Sequence, residues 1–472
     1  MTRQQVLFSP VTRLSGLLSV QAVIDGAAVI DASVSGTMFR GYEWIMQGRD
    51  VTDAIYMTQR ICGICSLAHG ATASYLLDQL FGHQLSEQAQ LLRNVMYGAD
   101  FLQNHLRHFY VYSLPDFVRF PPRPPFLGQR LDDARLSTAV EAEMIQHYFA
   151  AISTSQLCHQ ILALFGGKAP HQHSFVHGGV TVGPTAQSIS EALALLDRAE
   201  SFIGAALLPD TYRLAEAYQD YYQIGVTPER LLSFGLFPLG AANDQRVWRT
   251  GALAGGRLVE VDPLLIHEDV ASSWFASATQ PSEPPPAQGV VPDPYKPGAY
   301  SWVKSVTYGG QPYESGPLAR MLINGYYQGG TSTMDRIVAR SIEAQLIARL
   351  MRQWLDRLNP GEPPLAQQDV PLRDESRGMT DSMRGALLHH AKLNGRSVES
   401  YDIITPSAWN FSPKNSAGQR GPAECALTGT VIPQGVGPTT VLGRIIRSFD
   451  PCLSCGTHVY TPAGDKIAER VV

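Results

Sequence analysis

The chain has 472 residues, 44% hydrophobic and 17% charged, about three times the ~150 residues of an average domain. Its 37 Lys and Arg against 42 Asp and Glu leave a formal charge of −5, which gives no electrostatic case for binding nucleic acid or an anionic membrane surface. No run of about 18 apolar residues is present, so no membrane-spanning helix is expected. The opening MTRQQVLFSPVTR lacks the apolar stretch of a signal peptide, so folding in the cytoplasm is expected unless a partner carries the chain elsewhere. The small charged fraction leaves little polar cover and is consistent with a partner burying part of the surface.

In chain order, residues 5–35 read as strands, with Asp25-Gly26 as a hairpin turn. Apolar residues at three-to-four spacing predict helices from about Asp53 to Leu114, ending before the proline-rich 121–126. Helices resume over about 133–165 and 187–221, and 281–298 is a loop by composition. A long helix is expected over about 332–358, ended by Asn359-Pro360. Shorter strand-like pieces rich in Gly and Pro follow. The expectation is an α+β, predominantly α fold: a long-helix bundle with small β regions from both chain ends. It divides as a β region over about 1–38, a helical core over 39–358 and a mixed region over 359–458.

Six cysteines are too few for a disulfide scaffold in a chain of this length. Four form two C-x-x-C pairs, Cys62/Cys65 and Cys452/Cys455, one near each chain end; Cys158 and Cys425 read as buried small apolar side chains. Two such pairs can place four thiolates around one metal. A structural zinc site or a dithiol redox motif are the alternatives open at this point. Against zinc, the pairs do not belong to one local unit. They are also flanked by reactive groups: Arg60 and His69 at the first, Asp450 and His458 at the second.

The stretch FRGYEWIMQGRDVTDAIYMTQRICGICSLAH at 39–69, with RSFDPCLSCGTH at 447–458, resembles the large subunit of uptake-type nickel–iron hydrogenases. HLRHFYVYSLPDF, GGKAPHQHSFVHGGVT, ESGPLAR, MRGAL and TPSAWNFSPKN extend the resemblance along essentially the whole chain. It implies that Cys62, Cys65, Cys452 and Cys455 hold nickel, with Cys65 and Cys455 also bridging to an iron that carries two cyanides and one carbon monoxide. Soft thiolates suit such metals. H2 would be split heterolytically, with the Cys452 thiolate as proton acceptor. The resemblance places Arg384 above the open metal position, Asp116 and Asp450 as the carboxylates orienting it, Pro406 and Ser407 along the cyanide pocket, and His69 on a bridging sulfur. It places a structural Mg2+ on Glu43, His458 and the backbone carbonyl near Ile403. His105 and His108 read equally as packing or water-network residues, and His389 and His390 as residues of a surface strand or turn.

The resemblance further implies an iron–sulfur small subunit, since this chain has no spare cysteine cluster. It also implies a dimer of heterodimers, metal-insertion chaperones, and a maturation endopeptidase that cuts after His458 and releases 459–472. Two departures stand out. Ser15 occupies the place where the family has a proton-carrying glutamate, in Thr12-Arg13-Leu14-Ser15-Gly16, and Ser382-Met383 replaces the usual Ala-Pro before Arg384. Protons are then expected to leave through Arg384 and Asp116, or through Ser15 and water. A low-turnover H2-sensing homologue is the competing reading. The related quinone-reductase subunit of respiratory complex I lacks the four cysteines.

Overall fold

The computed structural model describes residues 3–122, 131–239, 245–276, 291–362, 364–365 and 372–455, with Cys455 described only in its backbone. Most of the proline-rich stretch after 122, much of the 281–298 loop, His458 and the 459–472 tail lie outside these residues.

Strands Gln4–Phe8, Leu18–Asp25 and Ala28–Gly36 form an antiparallel meander. Leu18, Val20, Ala22 and Ile24 alternate into the core, as a half-buried strand requires. Gly26, at φ +63°, makes the turn between the second and third strands.

The centre is the Glu87–Arg107 helix, in which every residue from Gln88 to Leu106 is buried. Ser86 caps it, its Oγ accepting from the Ala89 N–H at 3.2 Å. Around it pack the helices Ser66–Leu80, Thr138–Gly166 and Thr333–Asp356. A helix buried all round must pair its polar side chains. Arg93 of this helix meets Asp78 of Ser66–Leu80, and His105 meets Glu343 at 2.8 Å. Glu343 in turn takes the Arg320 guanidinium through two bonds of 2.7 Å.

Strands are not confined to the chain ends. Arg230–Ser233, Gly251–Ala254, Arg257–Val259 and Glu314–Ser315 make a four-stranded sheet inside the stretch expected to be helical. Gly255 and Gly256, both left-handed, turn one hairpin of it. That Gly-Gly pair between short apolar runs was the readable signal.

The short pieces expected near the C-terminus are one antiparallel sheet, Glu375–Ser382, Gly385–Asn394 and Ser397–Ile404, followed by a helix, Pro438–Ser448. His389 and His390 lie on its middle strand, fully buried, which corrects the expected surface position. The strand is covered on both faces, so its histidines have no solvent side to occupy.

Candidate metal centre

The chain ends meet through backbone. The Leu453 N–H donates to the Ser15 carbonyl at 2.6 Å, and Ser15 and Cys452 form a parallel bridge. Gly16 permits this: at φ +89°, a Cβ there would stand 2.2 Å from the Ser454 nitrogen. Cys62 precedes the Ser66–Leu80 helix, and Cys65 is that helix's N-cap residue. The sulfurs of the two pairs therefore converge. Cys62 Sγ is 3.3 Å from Cys452 Sγ, and Cys65 Sγ is 4.0 Å from it. All three are buried and lie within 4.8 Å of one another. The N–H groups of Ile64 and Cys65 donate to Cys62 Sγ at 3.3 and 3.4 Å, which favours its thiolate. Cys455 follows in a 3-10 turn, Leu453–Cys455, its side chain outside the described residues.

Arg384 reaches the site from a hairpin tip. Ser382 pairs with Gly385, so Met383 and Arg384 form a two-residue turn inserted into the core. Arg384 Nε donates to the Asp450 carbonyl at 3.0 Å, and Nη2 donates to Asp450 Oδ1 at 3.0 Å and Asn104 Oδ1 at 2.9 Å. Asn104 Nδ2 donates to Asp450 Oδ2 at 2.8 Å, closing a three-residue ring. Asp450 holds a left-handed backbone at φ +58°, strain of the kind that packed functional sites retain. Burial opposes its charge, yet Arg384, His108, Arg340 and the Asn104 bond outweigh burial and hold its carboxyl below the usual range. Burial likewise opposes the Arg384 charge, but Asp450 and the three cysteines overcome it and push the guanidinium well above its ordinary value.

Asp116 does not share this role. It takes Arg447 Nη1 on both oxygens, at 2.9 and 2.8 Å, and also binds Arg13. The second side chain on the Arg384 fork is Asn104. Sequence reasoning missed it because a carboxylate is the obvious partner for an arginine and an amide carries no such flag. Asp116 instead ties the N-terminal segment to the last helix. A proton exit through Arg384 and Asp116 is therefore not the path these contacts describe.

Ser407 and Pro406 open a short helix, Pro406–Asn410, capped by Thr405. The Ser407 hydroxyl accepts from the Cys452 N–H at 3.1 Å, leaving its own proton available. His69 Nδ1 lies 3.1 Å from His389 Nε2, and His389 Nδ1 lies 2.9 Å from the Tyr401 hydroxyl. Burial keeps His69 neutral, near a pKa of about 4. His105 serves the Glu343 pair, and His108 Nε2 donates to the Arg447 carbonyl at 2.7 Å, so both are packing-network residues. Cys158 is buried as expected, whereas Cys425 is only partly so, its thiol donating to the Arg420 carbonyl at 3.4 Å.

Glu43 accepts from the Ile403 N–H at 3.1 Å, beside a cavity of about 70 Å³ that also borders Lys304, Glu268, Ser407 and Ser454. Lys304 Nζ stands 3.7 Å from Glu43 and 2.9 Å from Glu268. The carboxylates are hard donors of the type Mg2+ takes, and Lys304 already supplies one positive charge among them. Of the three expected ligands, Glu43 and Ile403 adjoin.

The residues fit a soft-metal group on two observations. Three buried cysteine sulfurs converge within 4.8 Å, and Arg384 Nη1, buried on the same site, has no hydrogen-bond partner among the described residues. Fold and site together bring buried cysteine sulfurs from both chain ends to one point, an arrangement that could hold a soft metal. Residues 40–121, 126–332 and 326–458 match the family model described as nickel-dependent hydrogenase. The periplasmic [NiFeSe] hydrogenase large subunit of Desulfomicrobium baculatum is 33% identical, over 96% of this chain and 95% of that one. The Hydrogenase-1 large chain of Escherichia coli K12 is 27% identical over 98% and 96%. The Ni-Fe-Se hydrogenase structure from D. vulgaris Hildenborough superposes at a TM-score of 0.92 with 34% identity, covering 97% of this chain and all of the other. The chain belongs to the nickel-dependent hydrogenase large-subunit family and is a hydrogenase.

Proposed function

We propose that this large subunit oxidises H2, reversibly in principle, and passes two electrons to an iron–sulfur small subunit. The observation that carries the reading is the buried Cys62, Cys65 and Cys452 sulfur cluster facing a fixed, half-partnered Arg384. Cys62, Cys65, Cys452 and Cys455 would hold the nickel, with Cys65 and Cys455 shared with iron. When bound, a nickel–iron group carrying cyanide and carbon monoxide supplies H2 binding and heterolytic cleavage. Cys452 Sγ takes up the proton. Arg384, whose guanidinium is pushed too high to give up its own proton, acts as a fixed positive charge over the reacting position. Asp450 and Asn104 orient it. The free Ser407 proton suits a cyanide nitrogen, and His69 is poised to steady a bridging sulfur.

Glu43, the carbonyl near Ile403 and His458 would hold Mg2+ beside the cavity. Processing after His458 by an endopeptidase, once chaperones have delivered nickel, would let the last segment dock there. The low charge fraction supports a large permanent interface with the small subunit and, by resemblance, a dimer of heterodimers. The same partner would decide whether the protein stays in the cytoplasm or is carried out with it. Ser15 favours a second, H2-sensing reading, because a hydroxyl 4.0 Å from Cys62 Sγ and 2.8 Å from Ser454 Oγ offers no carboxyl. The test is the subunit pair purified anaerobically. Nickel and iron in equal amounts, with steady H2-dependent dye reduction, support the enzyme. Dye reduction that is only marginal supports the sensor, and zinc in their place refutes both.

A further inference from the structure

One buried acid near the cluster has no part in the reading above. Asp100 lies one turn before Asn104 on the central helix and is buried. Its Oδ1 accepts from Gln103 Nε2 at 3.1 Å, and its Oδ2 has no hydrogen-bond partner among the described residues. Gln103 Nε2 also donates to the Ile64 carbonyl at 3.3 Å, so the same amide touches Asp100 and the first cysteine loop. Gln103 Oε1 is likewise buried and unpartnered. Asp100, Gln103 and Asn104 thus form a polar strip from the cysteine loop to the Arg384 ring, on an otherwise closely packed helix. Most structural carboxylates in this core are ion-paired, as Asp78, Glu343 and Glu314 are. Asp100 is in no ion pair among the described residues. A buried carboxyl with an open oxygen and no cation is arranged to hold a proton, and two orphaned oxygens on neighbouring side chains are where a bridging water finds partners.

We propose that Asp100 is the proton-relay carboxyl of this site, doing the work that Ser15 cannot do. The inference rests on the hydrogenase reading above. A cysteine S–H of the site breaks, an O–H forms on Asp100 through a bridging water, and the proton then passes to solvent; no electrons move in this step. Asp100 acts through that water rather than on the metals, so it is a relay and positioning residue. Burial sets its proton affinity, raising its pKa to about 7 against the opposing Gln103 bond and the Arg384 charge. The groups facing it are Arg384 from the hairpin tip, Cys62 from the first cysteine loop, and Tyr97 and Arg107 on its own helix.

The experiment uses the large subunit assembled with its small subunit, as wild type, Asp100→Asn and Asp100→Glu. Infrared difference spectra, taken about two pH units either side of pH 7, should show a protonated-carboxyl C=O band in the wild type and in Asp100→Glu and none in Asp100→Asn. H2/D+ exchange should fall on the acid side below about pH 7 in the wild type, where the carboxyl is already protonated. Asp100→Asn should exchange about 100-fold more slowly with that acid limb gone, and Asp100→Glu should restore both. Wild type without metal-bound CO and CN bands overturns the hydrogenase reading, and the relay with it. Intact bands with an unchanged exchange profile in Asp100→Asn overturn the relay alone. So does an Asp100→Asn protein that has lost the bands while Asp100→Glu lacks the carboxyl signal, since Asp100 is then structural.

Discussion

Arg384 has three hydrogen bonds on one edge and none on Nη1 among the described residues, so its geometry belongs to a planar fork rather than a point charge. Arg384→Lys keeps the charge but cannot span Asp450 and Asn104 together. It should retain nickel and iron while H2/D+ exchange falls about 100-fold; full exchange in the lysine variant would show that the fork is not used. Ser15 is already bonded to Ser454 and close to Cys62, so Ser15→Glu would place a carboxyl at the thiolates. Exchange should rise in that variant, and an unchanged rate would mean that proton transfer at this position is not limiting. Of these residues the cysteines were legible from their C-x-x-C spacing, and Arg384 only through the resemblance of MRGAL to the family's motif. Asn104 and Asp100 were not. Both sit in an amphipathic-looking helix that proves to be buried all round, and nothing local in the sequence marks which polar positions face the site.

Among the elements, the contact that matters most is the clasp between the chain ends. Asp116 binds Arg13 from the N-terminal segment and Arg447 from the last helix, while Arg447 Nε also donates to the Thr12 carbonyl at 3.0 Å. Burial raises the Asp116 pKa, but Arg447 and Arg13 outweigh it and hold the value below the ordinary 3.8. A carboxyl depressed on folding contributes stability that is complete above its unfolded value and is lost as pH falls through its folded one. Asp116→Asn should therefore cost about 3–5 kcal/mol at neutral pH, by stranding the buried Arg447 guanidinium and releasing the partly exposed Arg13. Its deficit against wild type should shrink as pH falls below 3.8, and a deficit independent of pH in thermal melts would contradict the clasp. The hairpin that carries Arg384 depends on Gly385, at φ +131°, where a Cβ would stand 2.2 Å from Ser315 Oγ. The long helices and the first hairpin were readable from periodicity and Asp25-Gly26. The middle sheet was less so, because its strands are only two to four residues long and, apart from the Gly255-Gly256 hairpin, pair across large gaps in sequence.

At the scale of the molecule, one buried core joins the helix bundle to both chain ends, and the last segment is held at the first by the Ser15 carbonyl, which accepts from Leu453 and Ser454 while Gly16 permits the close approach. The fold class was legible as an α+β arrangement dominated by helices. The burial of His389 and His390 was not, since a strand covered on both faces shows no alternation to betray it. If the tail is removed on maturation, mass spectrometry of the large subunit from the active complex should show a chain ending at His458. A chain running to Val472 in active enzyme would contradict processing. The central claim is that the converging cysteines hold a nickel–iron group that meets H2, and the most direct measurement is the infrared spectrum of the complex with its small subunit. The account predicts one CO and two CN bands, in a region where protein is nearly transparent, that shift when H2 is admitted. A spectrum without those bands, from protein carrying zinc on the four cysteines, would contradict it.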